Sequence, residues 1–152
     1  MVMVFEDKLD FTKMTVNDGA ALKANVWTDI AEYQVPVGEL RFWGFTQKIT
    51  DTQSLVGSIK ATIKDDSSTP VELNDNAMIR LVIKNTTKSL TYEVWRGKYG
   101  DIKNSVQLPV QKPGALPYRY LAVEIMLPSG SSDFTFSQAN SSIDISTTVV
   151  QE

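Results

Sequence analysis

The chain predicts an all-β fold: a two-sheet antiparallel sandwich of jelly-roll type, with eight or nine strands and an extended N-terminal arm. Three observations predict it. Apolar and polar residues alternate with period two over Leu55–Lys64, Ala77–Lys84 and Ile143–Val149, as in half-buried strands. Clusters of Asn, Asp, Ser, Pro and Gly separate these runs. No apolar pattern at helical spacing lasts beyond one turn, too short for a helix to stand alone. Many short strands between turn signals point to a sandwich, and the long crossover-like loops favour a jelly roll over a meander.

Residues 1–24 read as the arm, and residues 25–152 as one domain. In the arm, Val2, Val4 and Phe5 suit a short added strand, and Phe11 and Met14 suit anchors on a neighbour. Asn17-Asp18-Gly19 signals a turn, and Ala20–Ala24 allows one helical turn.

The domain is organised around Trp27–Ile49, read as two strands flanking Val35-Pro36-Val37-Gly38. Pro36 cannot donate to a ladder and Gly38 tolerates unusual backbone angles, so the break is a corner at a sheet edge. In the second strand, Leu40, Phe42 and Gly44 face one way, and Arg41, Trp43, Phe45 and Ile49 the other.

Next come the Leu55–Lys64 strand, the polar loop Asp65–Pro70 and the turn Asn74-Asp75-Asn76. Ala77–Lys84 puts Ile79, Leu81 and Ile83 inward and Arg80 and Lys84 outward. Across a turn at Asn85–Lys88, Leu90, Tyr92 and Val94 form the next inward face, with Thr91, Glu93 and Trp95 opposite. Gly97–Pro117 is irregular, with a short strand at Val106-Gln107-Leu108. Tyr118–Leu127 is apolar on both faces and so central. Phe134 and Phe136 mark a short strand, and Ile143–Val149 closes the chain.

Composition narrows the chemistry. A 152-residue chain with 42% hydrophobic residues supports one core and buries roughly 68–70% of its unfolded surface. A net charge of −3 gives no general attraction to nucleic acid or anionic lipid. The arm mixes Lys8, Lys13 and Lys23 with Glu6, Asp7, Asp10 and Asp18, so it is no basic genome-packing tail. The chain has no Cys and no His, which excludes disulfides, Cys/His zinc sites, cysteine nucleophiles and the Ser-His-Asp triad. The start, MVMVFEDKLDF, lacks the basic region and apolar length of a signal peptide, and no stretch reaches membrane-span length. The expectation is a chain made in the cytoplasm. Asn85 and Asn140 match the glycosylation pattern by spacing alone.

Four constellations bear weighing against ordinary structural roles. Trp27, Trp43 and Trp95, with Tyr92, Tyr99, Tyr118 and Tyr120, suit a sugar platform, but aromatics more often fill a core or an interface. Glu93 and Glu124 are the one pair of strand carboxylates placed for glycoside hydrolysis, and solvated strand faces explain them more simply. Asp65, Asp66 and Asp75, with Asn74 and Asn76, offer oxygen ligands for calcium, without the spacing of an EF-hand. Arg96-Gly97-Lys98-Tyr99-Gly100 is a small basic-aromatic cluster able to touch phosphate. No residue is assigned as catalytic, cofactor-binding or metal-binding, no cofactor is expected, and the chain is not expected to be an enzyme.

The order of arm, Trp27, strand, Val35-Pro36-Val37-Gly38 corner and strand resembles the opening of single-jelly-roll virion proteins of tailless icosahedral viruses of prokaryotes. The Pro117-Tyr118-Arg119-Tyr120-Leu121 strand entry, the Pro128-Ser129-Gly130 turn and the Ser-rich last strand are similar too, so the likeness spans residues 27–150. The resemblance implies a capsid or capsid-associated structural protein of the virion. It would self-assemble through arm, loops and sheet edges, with copies of itself and other shell proteins as partners. The charge implies no direct nucleic-acid binding, so a membrane or another protein would line the shell, and no small-molecule substrate is expected. The alternative is a non-catalytic carbohydrate- or cell-surface-binding β-sandwich module, with Trp95 and Tyr99 exposed.

Overall fold

The computed structural model describes residues 2–36, 38–39, 41–114 and 118–152. Among them are eleven strands: β1 (Val2–Asp10), β2 (Thr15–Val16), β3 (Ala21–Leu22), β4 (Thr28–Gln34), β5 (Gln53–Thr62), β6 (Met78–Asn85), β7 (Thr91–Lys98), β8 (Val106–Gln111), β9 (Tyr118–Met126), β10 (Phe134–Thr135) and β11 (Ser142–Gln151). One helical turn, α1 (Tyr99–Ile102), follows β7. One antiparallel sheet has the order β1-β11-β5-β8 and the other β2-β4-β9-β6-β7, with β3 and β10 pairing separately. Without β2, the large sheets hold four strands each, and between them the chain stays in one sheet only at the β6–β7 hairpin. That winding is a jelly roll.

The sandwich follows from the period-two pattern. Leu55, Ile59, Ile143, Ile145 and Val149 face inward from the first sheet, and Ile79, Leu81, Ile83, Leu121, Val123 and Ile125 from the second. All are buried in one core. Each such side chain contributes about 1.5–3 kcal/mol on leaving water. β9 lies between β4 and β6, and Leu121–Ile125 is buried without a break, as its two apolar faces predict.

Residues 2–24 do not stand off as an arm. β1 pairs along β11 from Val2 opposite Gln151 to Asp10 opposite Asp144. Leu9, Phe11 and Met14 are buried in this chain's own core, and Phe11 meets Phe136 edge-on at 5.8 Å. β2 pairs with β4. The helical turn expected at Ala20–Ala24 is absent; Ala21–Leu22 is a strand whose Leu22 is wholly buried. Non-local pairing outweighs the weak local preference of five residues.

The second half of the Trp27–Ile49 element also differs. The corner forms, with Pro36 carbonyl accepting from Glu39 N–H at 3.0 Å and Gly38 at φ 96°. Val37 and Leu40 lie outside the described residues. Residues 41–49 are turns, not a strand. Phe42, Trp43, Phe45 and Ile49 are all buried. Trp43 N–H donates to Thr147 Oγ1 at 3.1 Å, Trp43 Nε1–H to the Pro109 carbonyl at 2.9 Å, and Gly44 N–H to Gln111 Oε1 at 2.6 Å. The indole occupies the space beside Gly57, where a Cβ would come within 2.7 Å of the ring. A Cβ on Gly44 would touch Ile83 and Leu121 of the opposite sheet. The segment is therefore a plug wedged between the sheets.

On β7 the inward face is offset. Leu81 stands opposite Trp95, but Val82 stands opposite Glu93, so Val94 is the extra residue of a bulge. Trp95 packs partly against the core, the reverse of its expected facing, while Tyr92 keeps the side of the inward Ile83 opposite it and, like Leu90, is exposed.

Candidate functional site

The outer face of the second sheet carries the densest charge chemistry. Outward positions of three paired strands set Asp29 (β4) opposite Glu124 (β9), and Glu124 opposite Arg80 (β6). Arg80 Nε donates to Glu124 Oε1 at 2.6 Å, and Arg80 Nη1 lies 3.6 Å from Glu93 Oε1. Arg96 grips the same Glu93 oxygen through Nε (2.9 Å) and Nη2 (2.8 Å). On the other side, Lys84 Nζ donates to Asp29 Oδ2 at 2.8 Å and lies 3.7 Å from Glu32, which accepts from Lys88 Nζ at 2.6 Å. The result is a continuous ribbon: Lys88, Glu32, Lys84, Asp29, Glu124, Arg80, Glu93, Arg96. Signs alternate except at the centre, where Asp29 meets Glu124. The Trp27 ring lies under Arg80 at 4.2 Å and Arg96 at 5.1 Å, roofing one end by cation–π contact.

The central pair is the electrostatic anomaly. Burial, with Asp29 close by, pushes the Glu124 carboxyl up to about 7 against the pull of Arg80. Burial raises Asp29 as well, but hydrogen bonds with Glu124 and Lys84 outweigh it and hold Asp29 below its usual value. Asp29 Oδ1 is buried and meets no N–H donor. A proton held on Glu124 is the donor that oxygen lacks. Below about pH 7 the pair is therefore one neutral acid against one carboxylate.

The ribbon reassigns the carboxylates Glu93 and Glu124. Both face the Arg80 guanidinium, which stands between them where a glycosidase pair would face an open cleft. A cleft of about 330 Å³ does open beside the ribbon, lined by Thr15, Val16, Asn17, Asp29, Ala31 and Glu32.

The other candidates scatter. Tyr99 is wholly buried, its hydroxyl accepting from Ile63 N–H at 3.0 Å and donating to Glu72 at 2.8 Å; burial raises its pKa. Trp95 lies against Gly97, whose absent Cβ leaves room for the ring, and Trp43 is the core plug. Trp95 and Tyr99 therefore make no exposed platform. Asp65 accepts from Ser67 and Val71 N–H groups and fixes its own loop, while Asp75 pairs with Lys103 at 2.8 Å. Among the described residues, no three acids group to hold a metal. Of the basic-aromatic cluster, Arg96 belongs to the ribbon and Tyr99 to the core, leaving Lys98 exposed. The Asn85 side chain closes the β6–β7 turn through Thr87, Ser89 and Leu90 N–H, and Asn140 donates to the Asp65 carbonyl.

The ribbon had a signal in the sequence: Asp29, Glu32, Arg80, Lys84, Glu93 and Glu124 all occupy polar positions on strands. Sheet order was the missing step, since β4, β9 and β6 are far apart in the chain. Among the described residues, no helix is long and apolar enough to cross a membrane. No protein-family model matches the chain, and no curated protein matches it.

Proposed function

We propose that the chain is a structural subunit of a viral capsid or similar protein shell, meeting copies of itself and other shell proteins through its edges and loops. The jelly-roll winding is the observation that supports this reading most: sheet orders β1-β11-β5-β8 and β4-β9-β6-β7 make a box with two broad faces and loops at its ends. Such boxes tile well because rigid faces and variable ends are separate. The first sheet's outer face sets Ser146, Ser58 and Gln107 in one row and Thr148 beside Val56, and it carries charges of both signs, with Asp144 opposite Lys60 and paired with Lys8 at 3.3 Å. The second is internally neutralised, with Lys84, Lys88, Arg80 and Arg96 set against Asp29, Glu32, Glu93 and Glu124. Neither face carries a positive field for nucleic acid, which favours a membrane or another protein as the shell's lining. In this role the protein resides in the virion.

The test is light scattering on the whole chain across concentration and salt. Removing residues 1–24 is unsuitable, because Leu9, Phe11, Met14 and Leu22 belong to the core. Assemblies that grow with concentration are expected. A monomer that persists at millimolar concentration, alone and with candidate shell partners, would overturn the proposal.

A further inference from the structure

Lys84 is set apart from the other lysines that form ion pairs among the described residues. Its side chain is 13% exposed, whereas those of Lys8, Lys13, Lys88, Lys103 and Lys112 are 31–60% exposed. To reach Asp29 from its own row, the Lys84 stem crosses the row of Val82 and Ala122, both wholly buried. Its Nζ ends 2.8 Å from Asp29 Oδ2, while Glu32 stands off at 3.7 Å and is held by Lys88. The second Asp29 oxygen, Oδ1, is buried and turns to Glu124, itself 8% exposed and holding its proton. An amine, a carboxyl group and an acid thus converge on one carbon, Asp29 Cγ. Lys103 also meets two acids, Asp75 and Glu72, but its Asp75 carboxyl is 64% exposed, where water competes.

We infer that Lys84 and Asp29 join through an intramolecular amide bond between Nζ and Cγ, formed with Glu124 as the acid–base group. The lysine ammonium first passes a proton to the Asp29 carboxylate it touches, leaving a neutral amine and a neutral acid. The Nζ lone pair then bonds to Cγ while Glu124 protonates Oδ1. The next proton that Nζ sheds moves through Glu124 to Oδ2, the Cγ–Oδ2 bond breaks, and Oδ2 leaves as water. Oδ1 returns its proton to Glu124 and stays as the amide oxygen. Three ammonium hydrogens become one amide N–H and one water, nothing is oxidised or reduced, and Glu124 ends as it began.

Contact is what makes the step possible. Well-aligned groups held together react as if at about 10⁵–10⁸ M, and an apolar bed keeps away the water that would reverse the reaction. The bond ties β4 to β6 across β9, a covalent link in a chain with no cysteine for a disulfide. It does not depend on what the sandwich assembles with.

Mass spectrometry of the whole chain, folded first and then denatured, tests the inference. The chain should be lighter than its sequence by one water, and digestion should release a branched peptide joining the Asp29 segment to the Lys84 segment. Lys84→Arg keeps the charge, but a guanidinium stays protonated and is no nucleophile, so full mass should return. Glu124→Gln cannot relay a proton and should slow bond formation by about 10²–10⁴-fold, with tryptophan fluorescence reporting that the variant is folded. Should that variant fail to fold, the wild-type mass and peptide map decide alone. A folded wild-type chain that keeps its full mass after prolonged incubation would overturn the inference. So would a lost water that maps within one unbranched peptide, as a cyclic imide at Asp18-Gly19 would. A folded Glu124→Gln chain that closes as fast as wild type would overturn the role of Glu124.

Discussion

Asp29 and Glu124 stand directly opposite each other on neighbouring strands, two carboxyl groups in contact on a half-buried sheet face. Like charges so placed repel, and burial sharpens the repulsion. The fold tolerates the pair because Arg80 and Lys84 flank it and because Glu124 keeps its proton.

The first prediction follows from that proton. Glu124 titrates near 4.5 when unfolded and near 7 when folded. Between those values the folded state binds more protons, so stability is greatest below about pH 4.5 for this group and falls as pH rises through about 7. The loss should be about 2 kcal/mol between pH 5 and 8. Glu124→Gln replaces the proton with a permanent amide N–H, so it should flatten the slope. Urea unfolding at four pH values across that range measures both; a wild-type curve as flat as the variant's would exclude the shared proton.

Arg80 is the cation that Glu124, Glu93 and Trp27 have in common. Arg80→Met keeps much of the stem but takes from the buried Glu124 carboxyl its guanidinium partner, while Glu93 keeps Arg96. It should cost about 3 kcal/mol and change Trp27 fluorescence. Arg80→Lys should recover little, because an ammonium cannot fork between two carboxylates. Full recovery by lysine would show that simple charge suffices.

Gly57 and Gly97 both sit beneath an indole, but the two rings differ in freedom. A Cβ at Gly57 meets Trp43, fixed by its bond to Pro109 and 1% exposed. Gly57→Ala should cost about 1–3 kcal/mol by overpacking. A Cβ at Gly97 meets the far edge of half-buried Trp95, which has room to swing away. Gly97→Ala should therefore be the milder change in thermal unfolding, and the opposite ranking would contradict the plug.

Among the described residues, the Tyr99 hydroxyl is the one acceptor offered to Ile63 N–H, deep in the core. Tyr99→Phe leaves that donor unpaired and should cost about 1–3 kcal/mol, with faster exchange of the Ile63 amide. Unchanged exchange at that amide would mean another acceptor replaces the hydroxyl.

Much of the fold was legible because alternation is a local property. Leu55, Ile59, Ile79, Leu81, Ile143 and Ile145 all face the core as their period says. The Phe42-Trp43-Phe45 plug was not, since its aromatic content imitates a strand and only the gap between sheets makes turns the better use. The Val94 bulge turned Trp95 inward, because one inserted residue flips every facing beyond it. The ribbon was half legible: its residues read as outward, but their adjacency depends on β9 entering between β4 and β6.

That insertion has a kinetic consequence. β9 closes the gap between β4 and β6, and β11 closes the gap between β1 and β5. β1 precedes β11 by nearly the whole sandwich, so during synthesis β1 has no strand to pair with until β11 emerges. The nascent sandwich stays open until then and closes through contacts of high sequence separation, which is slow. During that wait both long edges of β1 are exposed.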